Sequence, residues 1–546
     1  MATVQDDLDD LTLAESYSGD VSGVGGTWTV IGGAGGTGAG AGVDFAMQGT
    51  NAIDAKVSQT EKGPAITLNS AQTIAAGEHV FVWGYCATPG VADSIQNRGA
   101  TVVIGTGTNN NYVQYHVNGN DTFNATTKVG RCYPIDYSVR TSNTGSAPYR
   151  TVSGTPGATP DVFGFVCNIT GQSKGNNIAT DAIRKGTGVY VTAGTAGAPA
   201  TFTEVATAND TVSNRWGVFA SEGGTSFSQQ GYFVVGQDNT QTPTQAYFQD
   251  SGKAITFTDA PHAASDFSRF VVDQASTTCN LTSCSFSAEG TTNKGRFLVE
   301  SANPTVAIDG CTFNNIAITT LRSNTTATSS TWSGCETVTQ NTATITGCTF
   351  RNSVATAALV ADSVSSVTDS SFISSGTGYA IEGFATSGPT SGSPQVYDIS
   401  SNTFTGYTTG ANAALRVTAT TGFIEINAPA GTTFDSAGAT VTIVSGQVTT
   451  TVTARNASDN TVVNNARVYL VADTGGPLSQ GTVIINDLTN ASGIVTDTRA
   501  LASNQPVTGY VRKSSPGDDL FRSTPISGTI SNTAGVSITA LMISDE

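Results

Sequence analysis

The sequence predicts an all-β protein: a jelly-roll sandwich, then a right-handed parallel β-helix of about five or six coils, then a second β-sandwich. Three observations carry this. A six-residue phrase recurs through the middle of the chain. Only 12% of the 546 residues are Asp, Glu, Lys or Arg, where an ordinary globular chain carries about 25%. Runs rich in Val, Thr, Tyr and Phe alternate with clusters of Gly, Asn, Asp and Pro, and no convincing 3.6-residue apolar pattern appears.

In chain order, residues 1–15 are acidic and aperiodic, and read as an arm, a docking peptide or a frayed terminus. Residues 16–250 read as a β-sandwich. Its candidate strands are 27–31, 43–47, 79–85, 101–104, 112–117, 162–167, 188–192, 216–220 and 232–235, and this many strands suit a jelly roll.

Residues 251–434 hold the repeat. It reads apolar, two small turn residues, a small residue, a polar residue, then Phe. The copies are Leu281–Phe286, Ile308–Phe313, Ile345–Phe350, Val367–Phe372 and Ile399–Phe404, with Trp332-Ser-Gly-Cys335 as a partial sixth. The leading apolar residue ends one strand facing inward, and the next two residues turn a corner. The small residue and Phe then face inward on the following strand, two apart as a strand requires. Phe over Phe in successive coils makes a core stack. Spacings between the Phe positions fit a coil near 22 residues with loop insertions. Cys284, Cys311 and Cys348 share one slot with Ser370 and Asn402. A slot that accepts Cys, Ser or Asn is a ladder of small buried residues, not a set of disulfides. Residues 435–546 read as a separate sandwich, with strands at 448–454, 467–471, 482–485, 507–511, 526–530 and 536–541.

A net charge of −17 disfavours nucleic acid and anionic membrane as partners, since both require a basic footprint. The 23 Phe and 15 Tyr residues argue against disorder. The amino terminus lacks a basic and then apolar leader, and no apolar run reaches the ~18 residues of a membrane span. The expectation is therefore a soluble product made in the cytosol, with no membrane insertion. No CxxC pair or Cys/His cluster points to zinc or another metal, and no cofactor is expected.

Three segments resemble parts of tailed-phage virion proteins. Val43-Asp-Phe-Ala-Met-Gln-Gly-Thr-Asn-Ala-Ile, His79-Val-Phe-Val-Trp-Gly-Tyr and Asn111-Tyr-Val-Gln-Tyr-His-Val-Asn-Gly resemble concanavalin-like sandwiches over residues 20–145. Val452 to Leu470, with Leu488-Thr-Asn-Ala-Ser-Gly493-Ile-Val, resembles immunoglobulin-like, carboxypeptidase-regulatory-like domains. One hairpin Gly of that family is replaced by Asn460, which tolerates a left-handed turn. Pro525 to Glu546 is similar to phage structural sequences. The resemblance implies a virion protein of appendage, fibre or spike type. It also implies other capsid, neck or tail proteins as partners, a homotrimer, and contact with a host-surface glycan.

Few residues suggest chemistry. Gly33, Gly35 and Gly38 form GxGxxG, but the segment that follows alternates like a strand, so a hairpin loop is expected and not a dinucleotide site. His79, His116 and His262 lack a nucleophile motif nearby and read as structural. Glycoside hydrolysis needs two carboxylates about 5–10 Å apart. Glu289, Glu300, Asp309, Glu336, Asp362, Asp369, Glu382 and Asp398 are the acids of the repeat region, and none aligns with another on adjacent coils. The sequence expectation is thus a non-enzymatic structural appendage with no catalytic residues. The alternative is a tailspike depolymerase, with Asp309, Glu336 and Asp369 tested first and the loop 384–396 a further source of side chains. Tyr and Asn in loops 105–125 suit binding of a host receptor.

Overall fold

The computed structural model describes residues 2–12, 26–31, 40–42, 52–57, 63–86, 100–107, 111–117, 131–167, 176–209, 218–265, 267–290, 294–300, 302–501, 503–514, 520–532 and 534–545. The all-β expectation holds, with a parallel β-helix at its centre. The chain divides into two compact units, residues 1–344 with 351–355, and residues 345–350 with 356–546. The candidate strand 43–47, most of the Gly-rich run and much of 105–125 lie outside the described residues.

The first unit opens with an antiparallel sandwich. One sheet runs Arg150–Ser153, Tyr112–Val117, Ala100–Gly105, Val162–Cys167, Gly63–Leu68, Gly26–Ile31. The other centres on His79–Cys86 and Asn176–Gly186. Val102, Ile104, Tyr115, Phe163, Phe165 and Ile183 are among the residues packed between them.

The β-helix of this unit begins earlier than the repeat suggested. Gly188–Ala193 pairs in parallel with Tyr232–Val235, followed by Arg269–Val272, Arg296–Val299, Ile318–Thr320 and Val338–Thr339. Gly188–Thr192 and Tyr232–Val235, expected as sandwich strands, are rungs of this first sheet. A second sheet stacks Tyr247–Ser251, Thr278–Thr282, Thr305–Asp309 and Thr325–Thr328. A third stacks Ser226–Gln229, Ala254–Phe257, Ser285–Ala288, Thr312–Asn314 and Thr331–Ser333.

The repeat phrase works as the sequence implied. Its second turn residue takes the left-handed conformation at Ser283, Gly310, Ser329, Gly347 and Asp369, with φ between 50° and 66°. That conformation suits Gly and short polar residues. The aromatic position stacks, with Phe286 on Phe313 at 5.4 Å and Phe313 on Trp332 at 4.9 Å. Trp332 therefore occupies the Phe slot. The copy is Ala327-Thr-Ser-Ser330-Thr-Trp332, complete and five residues out of phase with the partial copy read from the sequence. Cys335 lies beyond it, at the next corner.

Two local elements close the first coil. Ala2–Asp6 pairs antiparallel with Gly188–Ala193, so the arm is a capping strand. Asp7 then accepts hydrogen bonds from the Thr187 and Gly188 amides, both at 2.9 Å. The helix Phe202–Asn209 was not expected. Its start is a reciprocal cap: the Glu204 amide donates to Thr201 Oγ1 at 3.2 Å, and the Thr201 amide donates to Glu204 Oε2 at 3.1 Å. This is the Thr-x-x-Glu signature of a helix N-terminus. It swings Phe202 over the open end of the core, where its ring meets Phe219, Phe233, Phe248 and Phe270 within 4.8–5.8 Å.

In the second unit the coils continue with the same logic. Ala357–Val360, Tyr379–Gly383, Leu415–Val417 and Phe434–Ser436 form one parallel sheet. Gln395–Asp398, Phe423–Ala428 and Thr440–Ser445 form another. Ser371–Ile373 pairs with Thr403–Thr405, and Phe350, Phe372 and Phe404 stack at 4.8 and 5.4 Å. The parallel ladder thus runs past residue 434. A sandwich follows. Gln447–Asn456 lies between Ile494–Ala500 and Val536–Met542, against a four-stranded sheet built on Arg467–Ala472. Asn460 has φ of 60°, as its place in the hairpin required.

Candidate active site

The sheet of the second unit that holds Tyr379–Gly383 carries the one grouping of acid, base and phenol that the described β-helix residues turn outward. Ile381, Leu415 and Val417 face the core and are fully buried. Alternation then turns Glu382 and Arg416 outward. The ladder aligns Glu382 with Arg416, and Arg416 with Asp435. Tyr379 joins them through a bulge. The amides of Ala380 and Ile381 both donate to the Ala414 carbonyl, each at 3.0 Å. One extra residue between two outward positions lets Tyr379 and Glu382, three apart, share a face.

The contacts follow from this placement. Arg416 Nη1 forms an ion pair with Asp435 Oδ2. The Tyr379 hydroxyl donates to the same oxygen at 2.7 Å. The guanidinium also lies 5.7 Å from the Tyr379 ring. Arg416 and Asp435 each keep about 31% of their side-chain surface exposed, so solvent reaches the pair. The phenol's hydrogen bond, and then the Arg416 charge, hold the Asp435 carboxyl below its usual range. Burial, and then donation to Asp435, raise the Tyr379 phenol. Asp435 is therefore a carboxylate throughout the neutral and mildly acidic range.

Glu382 and Asp435 sit on either side of Arg416. Adjacent strands lie about 4.8 Å apart, which sets their Cα atoms roughly 9–10 Å from one another. Side chains leaving one face at that Cα spacing can bring their carboxyl groups into the range of about 5–10 Å that glycoside hydrolysis requires. The sequence reading had counted Glu382, but it ended the repeat at 434 and so left out Asp435. That reading compared acids on adjacent coils, whereas this column places its two acids two rungs apart.

The other sequence candidates do not converge. Asp309 accepts a hydrogen bond from the Thr328 hydroxyl at 2.6 Å, and Glu336 pairs with Lys294 at 3.4 Å. Asp369 serves a left-handed corner, its amide donating to Ser401 Oγ at 3.0 Å. Asp398 caps Ser400. The loop 384–396 contains no carboxylate and is tied down by Tyr397 on Thr386 at 2.9 Å. The carboxylates of Asp309, Glu336 and Asp398 are each held by a structural partner.

The three histidines gather inside the first unit, where the sandwich meets residues 258–268. His262 Nε2 lies 2.8 Å from the His116 carbonyl, and the Ala264 amide donates to His79 Nε2 at 2.9 Å. Phe267 stacks on His79 at 3.5 Å. The expected structural role fits these contacts. The six described cysteines are free and buried, as the shared slot implied. No helix among the described residues is long and apolar enough to cross a membrane.

No protein family matches the chain, and no curated protein does. Among solved structures, it is similar to the catalytic domain of a GH87 alpha-1,3-glucanase variant in complex with tetrasaccharides. The likeness has 12% identity and a TM-score of 0.16, and covers 77% of this chain and 85% of that one. At that score it transfers neither a residue nor a substrate. The outward column of Glu382, Arg416 and Asp435, with Tyr379 on Asp435, stands against the expectation of a non-enzymatic structural component without catalytic residues, and that expectation is set aside.

Proposed function

We propose that this chain is a glycan depolymerase of the tailspike type, carried on a tailed-phage particle, which hydrolyses a host-surface polysaccharide at Glu382 and Asp435. The observation that carries the reading is the outward column Glu382, Arg416, Asp435, with Tyr379 on Asp435. Asp435, kept ionised by its two donors, serves as the base that takes a proton from water. Glu382, across Arg416, donates a proton to the departing glycosidic oxygen. Arg416 fixes the carboxylate that lies between it and the phenol. The virion placement, the capsid, neck or tail partners and the homotrimer rest on the sequence resemblances and belong to the same proposal.

The test is reducing-end release from polysaccharides of candidate hosts by the purified full chain. Glu382→Gln and Asp435→Asn are each expected to slow release by about 10²–10⁴-fold, the usual contribution of a general acid or base. Their circular dichroism should match that of the unaltered chain. Release at the unaltered rate by the double variant would sink the assignment. Light scattering checks the trimer, and protein mass spectrometry of purified particles checks the virion.

A further inference from the structure

We infer that the glycan taken at this site is uncharged, and that the site selects against chains bearing uronate, sialate or phosphate. The inference rests on the hydrolytic reading above and names its substrate class. Between residues 356 and 445 the chain carries Asp362, Asp369, Glu382, Asp398, Glu425 and Asp435 against a single cation, Arg416. That cation is already committed. Its guanidinium pairs with Asp435 and lies over the Tyr379 ring. An anionic sugar could recruit it only by drawing it off Asp435, which would leave the Asp435 carboxylate beside the incoming negative charge.

Residues 356–445 offer no second cation. Positions on the other two sheets of this unit include the hydroxyls of Ser371, Thr403, Thr405, Thr440 and Thr442, together with the acid Glu425. Hydroxyls donate to and accept from neutral sugars without favouring an anion. The net charge of −17 adds long-range repulsion that falls away beyond a Debye length of about 8 Å. The same argument separates hydrolysis from β-elimination. Elimination removes a proton from the carbon next to a uronate, and the resulting charge must be met by a cation placed on that carboxylate. Arg416 is held elsewhere, so bond cleavage here adds water and yields a saturated product.

The experiment compares charge forms of one chain. For the polysaccharide that the full chain cleaves, a neutral form and a carboxylated form are prepared, by reducing native uronates or by oxidising primary alcohols. Rates are read at low salt and at about 0.5 M salt. The neutral form should be cleaved at least tenfold faster at low salt, the gap should narrow with salt, and no unsaturated sugar should absorb in the ultraviolet. Equal or faster cleavage of the carboxylated form, or an unsaturated product, overturns the inference while leaving a depolymerase in place. No cleavage of either form by any candidate host's glycan overturns the function proposed above, and the inference with it.

Discussion

Two residues before each stacked aromatic, the chain asks for a small side chain with a donor, and is indifferent to which one. Cys284, Cys311 and Cys348 donate Sγ–H to the carbonyls of Thr282, Asp309 and Thr346 at 3.5–3.6 Å. Ser330 and Ser370 donate Oγ–H to those of Thr328 and Thr368 at 2.9 Å. In each case the acceptor lies two residues back, at the corner. The slot is thus set by geometry, which is why a mixture of Cys, Ser and Asn was readable from the sequence as a ladder. Cys311→Ser should change stability by no more than about 1 kcal/mol, because the hydroxyl makes the same bond. Cys311→Val fills the space but offers no donor, so the Leu281 carbonyl loses the Sγ–H contact while the Asp309 carbonyl keeps the Ser283 amide at 2.8 Å, and it should cost about 1 kcal/mol more than Cys311→Ser. Denaturant melts of the two variants decide this, and equal stability would mean that packing alone governs the slot. Asp435 is the opposite case. Nothing in its own neighbourhood, Thr433-Phe-Asp-Ser436, marks it as chemical. Its significance comes from a rung-to-rung alignment with Arg416 and Glu382 that only pairing register reveals.

Register was also where whole elements escaped the sequence. The spacing of 37 residues between Phe313 and Phe350 read as one coil with an insertion. It is two short coils of 19 and 18 residues, with Trp332 in the aromatic slot. The copy hides because its leading apolar residue is Ala327 and its small residue is Ser330, so it lacks both the large aliphatic and the Cys that flag its neighbours. The helix at 202–209 hid differently. Eight residues are too short for an amphipathic stripe to stand out, and its only sequence mark is Thr201-x-x-Glu204. Its work is to seat Phe202 on the end of the core. Phe202→Ala should cost about 3–5 kcal/mol, as for other large buried aromatics, whereas Thr201→Ala should cost about 1 kcal/mol through the lost cap. Chemical denaturation of both variants measures the ratio, and a small effect at Phe202 would show that the aromatic cluster holds without it. The proposed acid and base make a further prediction at this scale. Their separation by two rungs matches the wider carboxylate spacing of an inverting enzyme. Proton magnetic resonance of the first product should show inverted anomeric configuration, and retention would place the nucleophile elsewhere.

Across the molecule, module order was legible and module edges were not. A coil strand such as Gly188–Ala193 and a sandwich strand such as Ala100–Gly105 are both almost wholly buried, so burial-driven composition is the same in each. Only the direction of pairing distinguishes them, parallel in the first and antiparallel in the second. What joins the sandwich to the first coils is likewise invisible in sequence, because His79, His116 and His262 lie far apart along the chain. Their junction carries a pH consequence. Burial is the main cause that holds His79 down to about 4 and His262 down to about 3, against an ordinary value near 6.5, with Arg269 adding to the effect on His79 and Asp136 opposing it. His79 must stay neutral, because its Nε2 accepts the Ala264 amide. The unfolded chain takes up a proton near pH 6.5 and the folded chain does not until about pH 4. The contribution of neutral His79 is therefore complete above pH 6.5, declines as the pH falls toward 4, and changes no further below that. A shift of this size corresponds to about 3 kcal/mol. Thermal melts between pH 7.5 and 4, within the roughly 5–8 range of best stability and below it, should show the unaltered chain losing more stability than His79→Gln, which can accept the same amide but does not titrate. The difference between the two curves removes the carboxylates common to both. Parallel curves would mean that the sandwich holds residues 258–268 through Phe267 and the backbone alone, and that the histidines are passengers at the joint.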